Sequence, residues 1–149
     1  MSERARWESP EIVERGGRWR PDFAEDPRFN AYQWRDMTDD LTPAQNEWRS
    51  YRRDDDEVAR LLLVLNFSSH TGDRAASAIL ISNVEVREDL QHINYIGTDL
   101  IDALAAEYRD SEIYLGPTRT SKPFWKRFGW PMCDCEACGG RDLIVRRPA

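Results

Sequence analysis

The chain has 149 residues, a formal net charge of −6 and three cysteines, and its longest uninterrupted apolar run covers only Leu61 to Leu65. That run is far shorter than the about 20 residues that a membrane-spanning helix needs, and the charged N-terminal residues disfavour a signal peptide. The length predicts one domain, and the acidity disfavours non-specific binding to nucleic acid or anionic lipid. We therefore expect a cytoplasmic protein with no membrane partner.

Residues 1–30 combine arginines and acids with prolines and with Gly16-Gly17, and they show no sustained helical or strand period. This composition predicts an irregular N-terminal arm in front of one regular domain, residues 31–149. Trp7, Trp19 and Phe29 indicate that the arm packs on a core. It serves either as a strap on its own domain or as the element that completes a homodimer.

The first half of the regular domain carries three local patterns. Thr42, Pro43 and Gln45 have the order of a helix start, which predicts an amphipathic helix over Pro43–Arg53. The run Asp54-Asp55-Asp56 predicts a solvated loop, with an attractor for a cationic substrate as the alternative. The full set of expected elements here is a strand at Ala31–Met37, the helix at Pro43–Arg53, the loop at Asp54–Asp56 and a doubly buried strand at Glu57–Phe67.

The stretch Ser77 to Trp130 is the most regular part of the chain. A strand at Ala75–Val86 leads into a helix whose apolar stripe is Ile96, Leu100, Leu104 and Tyr108. The elements expected after it are a strand at Glu112–Leu115, a short helix at Ser121–Phe128, and a hairpin that pairs Trp130–Cys135 with Arg141–Arg146. A strand that runs into a helix start leaves free backbone N–H groups, which suit a phosphate.

Three segments resemble the GNAT superfamily of N-acetyltransferases, over roughly Ala31 to Arg146. YQWRDMTDDLTP resembles the family's first strand and the turn into its first helix, HINYIGTDLIDAL resembles the acetyl-CoA pyrophosphate loop, and TRTSKPFWKRFGW resembles the family's later aromatic stretch. The resemblance implies an α+β fold with a mixed, mostly antiparallel central sheet flanked by helices. It also implies acetyl transfer from acetyl-CoA to a small-molecule or peptide amine by direct attack.

The resemblance assigns the cofactor contacts residue by residue. The pantetheine arm would lie beside the end of the strand, and the pyrophosphate would lie at the helix start, where Gly97 lets phosphate oxygens approach. The implied cofactor-binding residues are Val84, Val86, His92, Asn94, Tyr95, Ile96, Gly97, Thr98, Thr118, Ser121 and Lys122.

Three positions depart from the family pattern, and at one of them the family's Gln or Arg falls on His92. The first glycine of the pyrophosphate loop falls on Tyr95, whose ring has to point away from the cofactor if the site is to stay open. The tyrosine that in many family members protonates the leaving thiolate falls on Trp125, which has no acidic proton to give. These departures keep open a catalytically degenerate protein of the same fold with a binding or regulatory role.

Glu85 lies on the polar face of the strand that would line the site, so it is the candidate catalytic base. The alternative is a solvated carboxylate at the strand end.

The cysteines suggest a second kind of chemistry. Cys135 and Cys138 have the spacing of a zinc knuckle, and Cys133 adds a third thiolate. His70, His92, a carboxylate and a partner chain remain open as the fourth ligand. The alternative is three reduced thiols in a hairpin.

Overall fold

The computed structural model describes residues 6–15, 18–30, 34, 45–70, 77–91, 95–135 and 143–148. In these ranges the elements follow in chain order: β1 (Arg6–Glu8), β2 (Ile12–Arg15), β3 (Arg18–Pro21), β4 (Asn46–Arg53), β5 (Asp56–Val64), β6 (Ser77–Val86), α1 (Ile96–Glu107), β7 (Ser111–Leu115), α2 (Lys122–Lys126) and β8 (Ile144–Arg146). No helix in the described ranges is long and apolar enough to cross a membrane.

Six strands form one sheet in the order β1-β4-β5-β6-β7-β8, and β2 pairs with β3 as a separate hairpin. Every neighbouring pair in the main sheet is antiparallel except β6 and β7, which run parallel. A parallel pair needs a crossover connection, and α1 supplies it between these two strands. The expected mixed, mostly antiparallel sheet with helices is therefore confirmed.

The strand predictions from Glu57 to Leu115 were accurate. β5, β6 and β7 lie inside or within two residues of their predicted bounds, and α1 and α2 lie where the helical patterns placed them. β5 is buried on both faces, as its continuous apolar run indicated. The terminal hairpin is present but short: Met132 forms a bridge to Ile144, and Cys133 N donates to Leu143 O at 2.7 Å.

The predicted helix over Pro43–Arg53 was wrong, because Asn46–Arg53 is strand β4. β4 pairs along its whole length with β5, and the chain reverses between them at Asp54 and Asp55, with φ of 52° and 68°. Two residues of positive φ match the type I′ hairpin turn, which tolerates aspartate. The hairpin turn and the hydrogen bonds between β4 and β5 outweigh the helix preference of Thr42, Pro43 and Gln45. Trp48 and Tyr51, which a helix would place together, lie on opposite faces of the sheet.

The N-terminal arm is more regular than expected. Trp7 of β1 pairs with Tyr51 of β4 at the edge of the main sheet, and β2 and β3 form their own hairpin. The sequence shows no period here because strands of three or four residues are too short to produce a visible one among so many charges. The division into an arm and one domain stays a prediction, and the strand expected at Ala31–Met37 lies outside the described residues except for Trp34.

The two faces of the main sheet carry different layers. On the α1 face, Ile101 and Leu104 of the helix pack on side chains such as Ile79 and Ile113. The opposite face carries two apolar clusters. The buried members of the first cluster are Phe23, Phe29, Trp34, Trp48 and Leu62, and those of the second are Ala78, Tyr114, Cys133 and Val145.

Each face also buries an arginine that is held by carboxylates. On the α1 face, Arg49 donates to both oxygens of Glu107 at 2.9 and 2.6 Å, which joins β4 to the last turn of α1. Burial by itself would lower the pKa of Arg49, but the hydrogen bonds to Glu107 and Tyr51 raise it above its ordinary value. On the opposite face, Arg60 donates to Glu57 Oε1 at 3.0 and 2.7 Å.

Candidate functional site

The end of β6, the start of α1 and α2 meet at Gly97. A Cβ atom added to Gly97 would lie 3.2 Å from Phe124 Cε2 and 3.4 Å from Val86 Cγ2. Glycine fits here because a Cβ atom would require the Phe124 ring to shift by a few tenths of an ångström. The three segments that the sequence assigned to one cofactor site are therefore adjacent in space.

β6 and β7 separate after a short parallel ladder. Their pairing runs from Ser77 and Ser111 to Ile81 and Leu115, whereas β6 continues to Val86 with β5 as its neighbour. The register of β5 and β6 also shifts near Ser82, because Leu62 pairs with Asn83 and Leu63 with Ile81. Within the described ranges, the last part of β6 thus presents an edge with no strand partner.

The register shows which residues present their backbone to that edge. Arg87 N donates to Val58 O at 2.9 Å, so this is a hydrogen-bonded pair. In an antiparallel ladder such pairs alternate with pairs whose N–H and C=O groups point away from the partner strand. Val86 and Val84, opposite Ala59 and Leu61, are pairs of the second kind. Their backbone groups therefore point to the open edge, where Gln91 Nε2 already donates to Val86 O at 3.0 Å.

The start of α1 leaves several backbone donors available. The first intrahelical hydrogen bond runs from Asp99 N to Tyr95 O at 2.9 Å. The N–H groups of Ile96, Gly97 and Thr98 therefore precede the helix ladder, and Tyr95 forms no side-chain capping bond. These three groups lie at the positive end of the helix dipole, where an anion is favoured.

Tyr95 is the residue whose structure the sequence left most open. Its φ of 52° and ψ of 31° are left-handed rather than helical, and 73% of the residue is exposed. The ring therefore points into solvent instead of covering the helix start. A left-handed φ is the conformation for which glycine is favoured, and the resemblance places a glycine at this position.

Three further predicted cofactor residues, Thr118, Ser121 and Lys122, lie at or just before the start of α2. Thr118 and Ser121 form a small hydrogen-bonded turn in which Ser121 N donates to Thr118 O at 3.1 Å, and Lys122 is exposed at the first position of α2. Trp125 is only 5% exposed and packs among Phe124, Phe128 and Trp130. His92 and Asn94 lie outside the described residues.

Glu85 lies on the opposite face from α1, where it holds the N-terminal arm. Its two carboxylate oxygens accept the Asn30 N–H at 3.0 and 3.1 Å, and Oε1 also accepts Trp34 Nε1–H at 2.7 Å. The side chain is therefore neither freely solvated nor directed at the α1 face. Sequence reasoning missed this anchoring contact, because Asn30 and Trp34 are more than 50 positions away in the chain.

The cysteine segment lies against His70. Cys133 Sγ lies 3.8 Å and Cys135 Sγ 3.6 Å from His70 Nδ1, and the three ligand atoms all lie within 4.8 Å of one another. Of the two histidines that the sequence left open, the structure brings His70 to the thiols. Cys138, the third predicted thiolate, lies outside the described residues, as does His92.

No family model and no curated protein matches the chain. Several solved structures, in contrast, align with this chain. An acetyltransferase from Thermus thermophilus aligns with a TM-score of 0.54 and 20% identity over 71% of this chain, which spans just under two thirds (66%) of that protein. The Bacillus subtilis N-acetyltransferase YlbP in complex with coenzyme A aligns with a TM-score of 0.55 and 21% identity, covering 78% of this chain and 76% of YlbP.

A third match is AtaTR bound with acetyl-CoA, with a TM-score of 0.58 and 10% identity over 81% of this chain and 79% of that one. Together these likenesses show that the chain has the fold of the GNAT acetyltransferases. At such low identity they show the fold alone.

Proposed function

We propose that this protein binds acetyl-CoA and transfers its acetyl group to an amine acceptor, a small molecule or a peptide, in the cytoplasm. The observation that carries the proposal is the open edge of β6, at Val84 and Val86, directly beside the N–H groups that precede the ladder of α1. Structures of the same fold that hold coenzyme A or acetyl-CoA support it.

Each part of this edge has a defined task in the proposed complex. The N–H groups of Ile96, Gly97 and Thr98 would bind the pyrophosphate, whose charge the helix dipole stabilises. The backbone groups of Val84 and Val86 would bind the amides of the pantetheine arm in the manner of an added strand. Gln91 would then have to release Val86 O, because its side-chain amide occupies that acceptor.

The acetyl transfer itself needs a neutral amine whose nitrogen attacks the thioester carbonyl, while the coenzyme leaves as a thiolate that takes up a proton. Glu85 stays the proposed base, and in that role it would have to exchange the Trp34 or Asn30 N–H for the proton of the amine. Trp125 is buried and has no acidic proton, so the thiolate would receive its proton from solvent.

The first test is a calorimetric titration of the purified protein with acetyl-CoA, coenzyme A and pantetheine. We expect saturable binding of both coenzymes and much weaker binding of pantetheine, because it lacks the pyrophosphate. At a ligand concentration of 100 times Kd, binding should also raise the free energy of unfolding by about 2.7 kcal/mol, visible as a higher Tm. Absence of any heat or Tm change at millimolar acetyl-CoA would refute the proposal.

Substitution of Tyr95 tests whether the helix start receives the cofactor. We expect Tyr95→Gly to stabilise the fold by about 1 kcal/mol, because glycine adopts the left-handed φ without the steric cost that a Cβ imposes. The same variant should bind coenzyme A more tightly, since removal of the Cβ lets phosphate oxygens approach the helix start more closely. Urea denaturation and calorimetry measure the two effects.

Tyr95→Ala is the matched control, because it removes the ring but keeps the Cβ. It should leave the strain, so its free energy of unfolding should stay within about 0.5 kcal/mol of the wild type. Equal coenzyme affinity in all three proteins would place the pyrophosphate elsewhere.

The second candidate function is a binding or regulatory protein on the same fold. The buried Trp125 and the engaged Glu85 favour it, because transfer chemistry needs a proton donor and a free base at these two positions. Coenzyme binding without acetylation of any amine in a panel of polyamines, aminoglycosides and N-terminal peptides would support this alternative over the enzyme.

A further inference from the structure

We propose that His70, Cys133 and Cys135 form a zinc site that fastens two distant segments of the chain on the sheet face opposite α1. His70 follows β5, whereas the two cysteines lie between α2 and β8, 63 and 65 residues further along. This site is separate from the proposed coenzyme site and does not depend on it.

The distances fit a tetrahedral metal. With a Zn–S bond of about 2.3 Å and a Zn–N bond of about 2.0 Å, tetrahedral geometry separates the sulfur and nitrogen ligand atoms by about 3.5 Å. The two observed separations from His70 Nδ1 are 3.6 and 3.8 Å. The two sulfur atoms, which lie within 4.8 Å of each other, would have to come to about 3.8 Å for one tetrahedral ion to contact the imidazole and both thiolates.

The surroundings position the histidine for this role. Its ring stacks on Phe67 with the centroids 5.5 Å apart and packs against Tyr114 at 5.0 Å. The His70 backbone N–H donates to Tyr114 Oη at 2.9 Å, which holds the loop on β7. These contacts limit the rotation of the imidazole, and such support around a ligand is typical of metal centres.

The cysteines are also held in place from the backbone. Cys133 is buried, its N–H donates to Leu143 O at 2.7 Å, and Val145 N donates to Pro131 O at 2.9 Å. These bonds attach the segment to β8. Both Cys133 and Cys135 belong to the apolar cluster around Tyr114 and Val145.

The ligand set selects the class of metal. Two thiolates and an imidazole favour zinc over magnesium or calcium, which prefer oxygen ligands. On binding, each thiol forms a bond from sulfur to the ion and releases its proton to solvent. A zinc ion takes four ligands, so one position beyond His70, Cys133 and Cys135 stays for a further protein group or a water molecule.

A bound ion would act as a cross-link. It closes a loop of more than 60 residues that contains β6, α1, β7 and α2, and cross-links of long loops restrict the unfolded chain most. In addition, the second apolar cluster of this face, around Tyr114, is small. The ion would therefore stabilise the β6-β7-β8 half of the sheet.

Metal analysis of the purified full-length protein tests the proposal. We expect about one zinc per chain after gel filtration, and a cobalt-substituted sample with the intense charge-transfer absorption of thiolate ligands and the visible bands of a tetrahedral ion. His70→Asn, Cys133→Ser and Cys135→Ser should each weaken zinc binding by more than about tenfold. Met132→Leu is the matched control, because this exposed residue beside Cys133 offers no thiolate or imidazole, and it should keep the full metal content.

A second measurement covers variants that fail to fold. Removal of zinc from the wild type by a chelator should lower the Tm, and zinc, but not magnesium, should restore it. A wild type that binds no zinc after incubation with the metal, or a His70→Asn protein with unchanged zinc affinity and cobalt spectrum, would overturn the proposal. A site that survives Cys133→Ser and Cys135→Ser but not Cys138→Ser would overturn it as well.

Discussion

Replacement of Glu57 by glutamine is expected to destabilise the fold by about 3–5 kcal/mol, because it leaves the Arg60 guanidinium buried without its carboxylate. The side chains of Arg60 and Glu57 are only 3% and 8% exposed. Glu57 Oε2 also accepts the Ser50 hydroxyl at 2.5 Å, so the amide cannot serve both donors. Urea denaturation with circular dichroism measures the loss.

Two comparisons isolate the buried charge. Glu8→Gln removes a carboxylate that is 52% exposed beside Arg52, and it should change the free energy of unfolding by less than about 1 kcal/mol. The double variant Glu57→Gln/Arg60→Met should be more stable than Glu57→Gln alone, since no unpaired charge remains. A double variant that is less stable than the single one would show that the contacts of Arg60 with Ala24 O and the rings of Phe23 and Phe29 matter more than its charge.

Trp125→Ala is expected to cost about 3–5 kcal/mol, because it removes a large side chain from a packed aromatic cluster. The ring centroid of Trp125 lies 4.8 Å from that of Phe124 and 6.0 Å from that of Trp130. Since Phe124 packs over Gly97, the loss should also loosen α2 from the start of α1. Under the proposed function, affinity for coenzyme A falls together with stability, and calorimetry on the folded variant measures it.

The exposed aromatic at the other side of the helix start provides the reference. Tyr95→Ala truncates a ring that is 73% exposed, so it separates loss of an aromatic side chain from loss of core packing. If Trp125→Ala were as stable as Tyr95→Ala, the aromatic cluster would not be part of the cooperative core.

The N-terminal arm lies close to the end of β6. Glu85 binds Asn30 and Trp34, and Glu88 N donates to Arg28 O at 3.0 Å, so the arm runs along the end of β6. The open edge at Val84 and Val86 belongs to the same strand end. Under the proposed function, an acceptor that approaches from this face would therefore meet the arm.

Elements with a strong local pattern were predictable. β5 is continuously apolar, β6 alternates, and α1 has an apolar stripe, so period and length together favour one structure for each segment. Strand β4 was not predictable, because Thr42, Pro43 and Gln45 by themselves have the pattern of a helix start. The turn at Asp54-Asp55 and the ladder with β5 decide the outcome, and neither can be read from β4 alone.

The sequence by itself determined the strand-helix-strand order of Ser77 to Leu115, the aromatic turn that follows it and the presence of closely spaced thiols. Only the tertiary structure decided which strand edges stay open, that Glu85 anchors the arm and that His70 reaches Cys133 and Cys135. The reason is physical: periodicity records which face of a segment is buried, whereas contacts across 50 or 60 residues depend on how all the segments pack. At the start of α1 the sequence predicted the helix, but the left-handed backbone of Tyr95 was seen only in the structure.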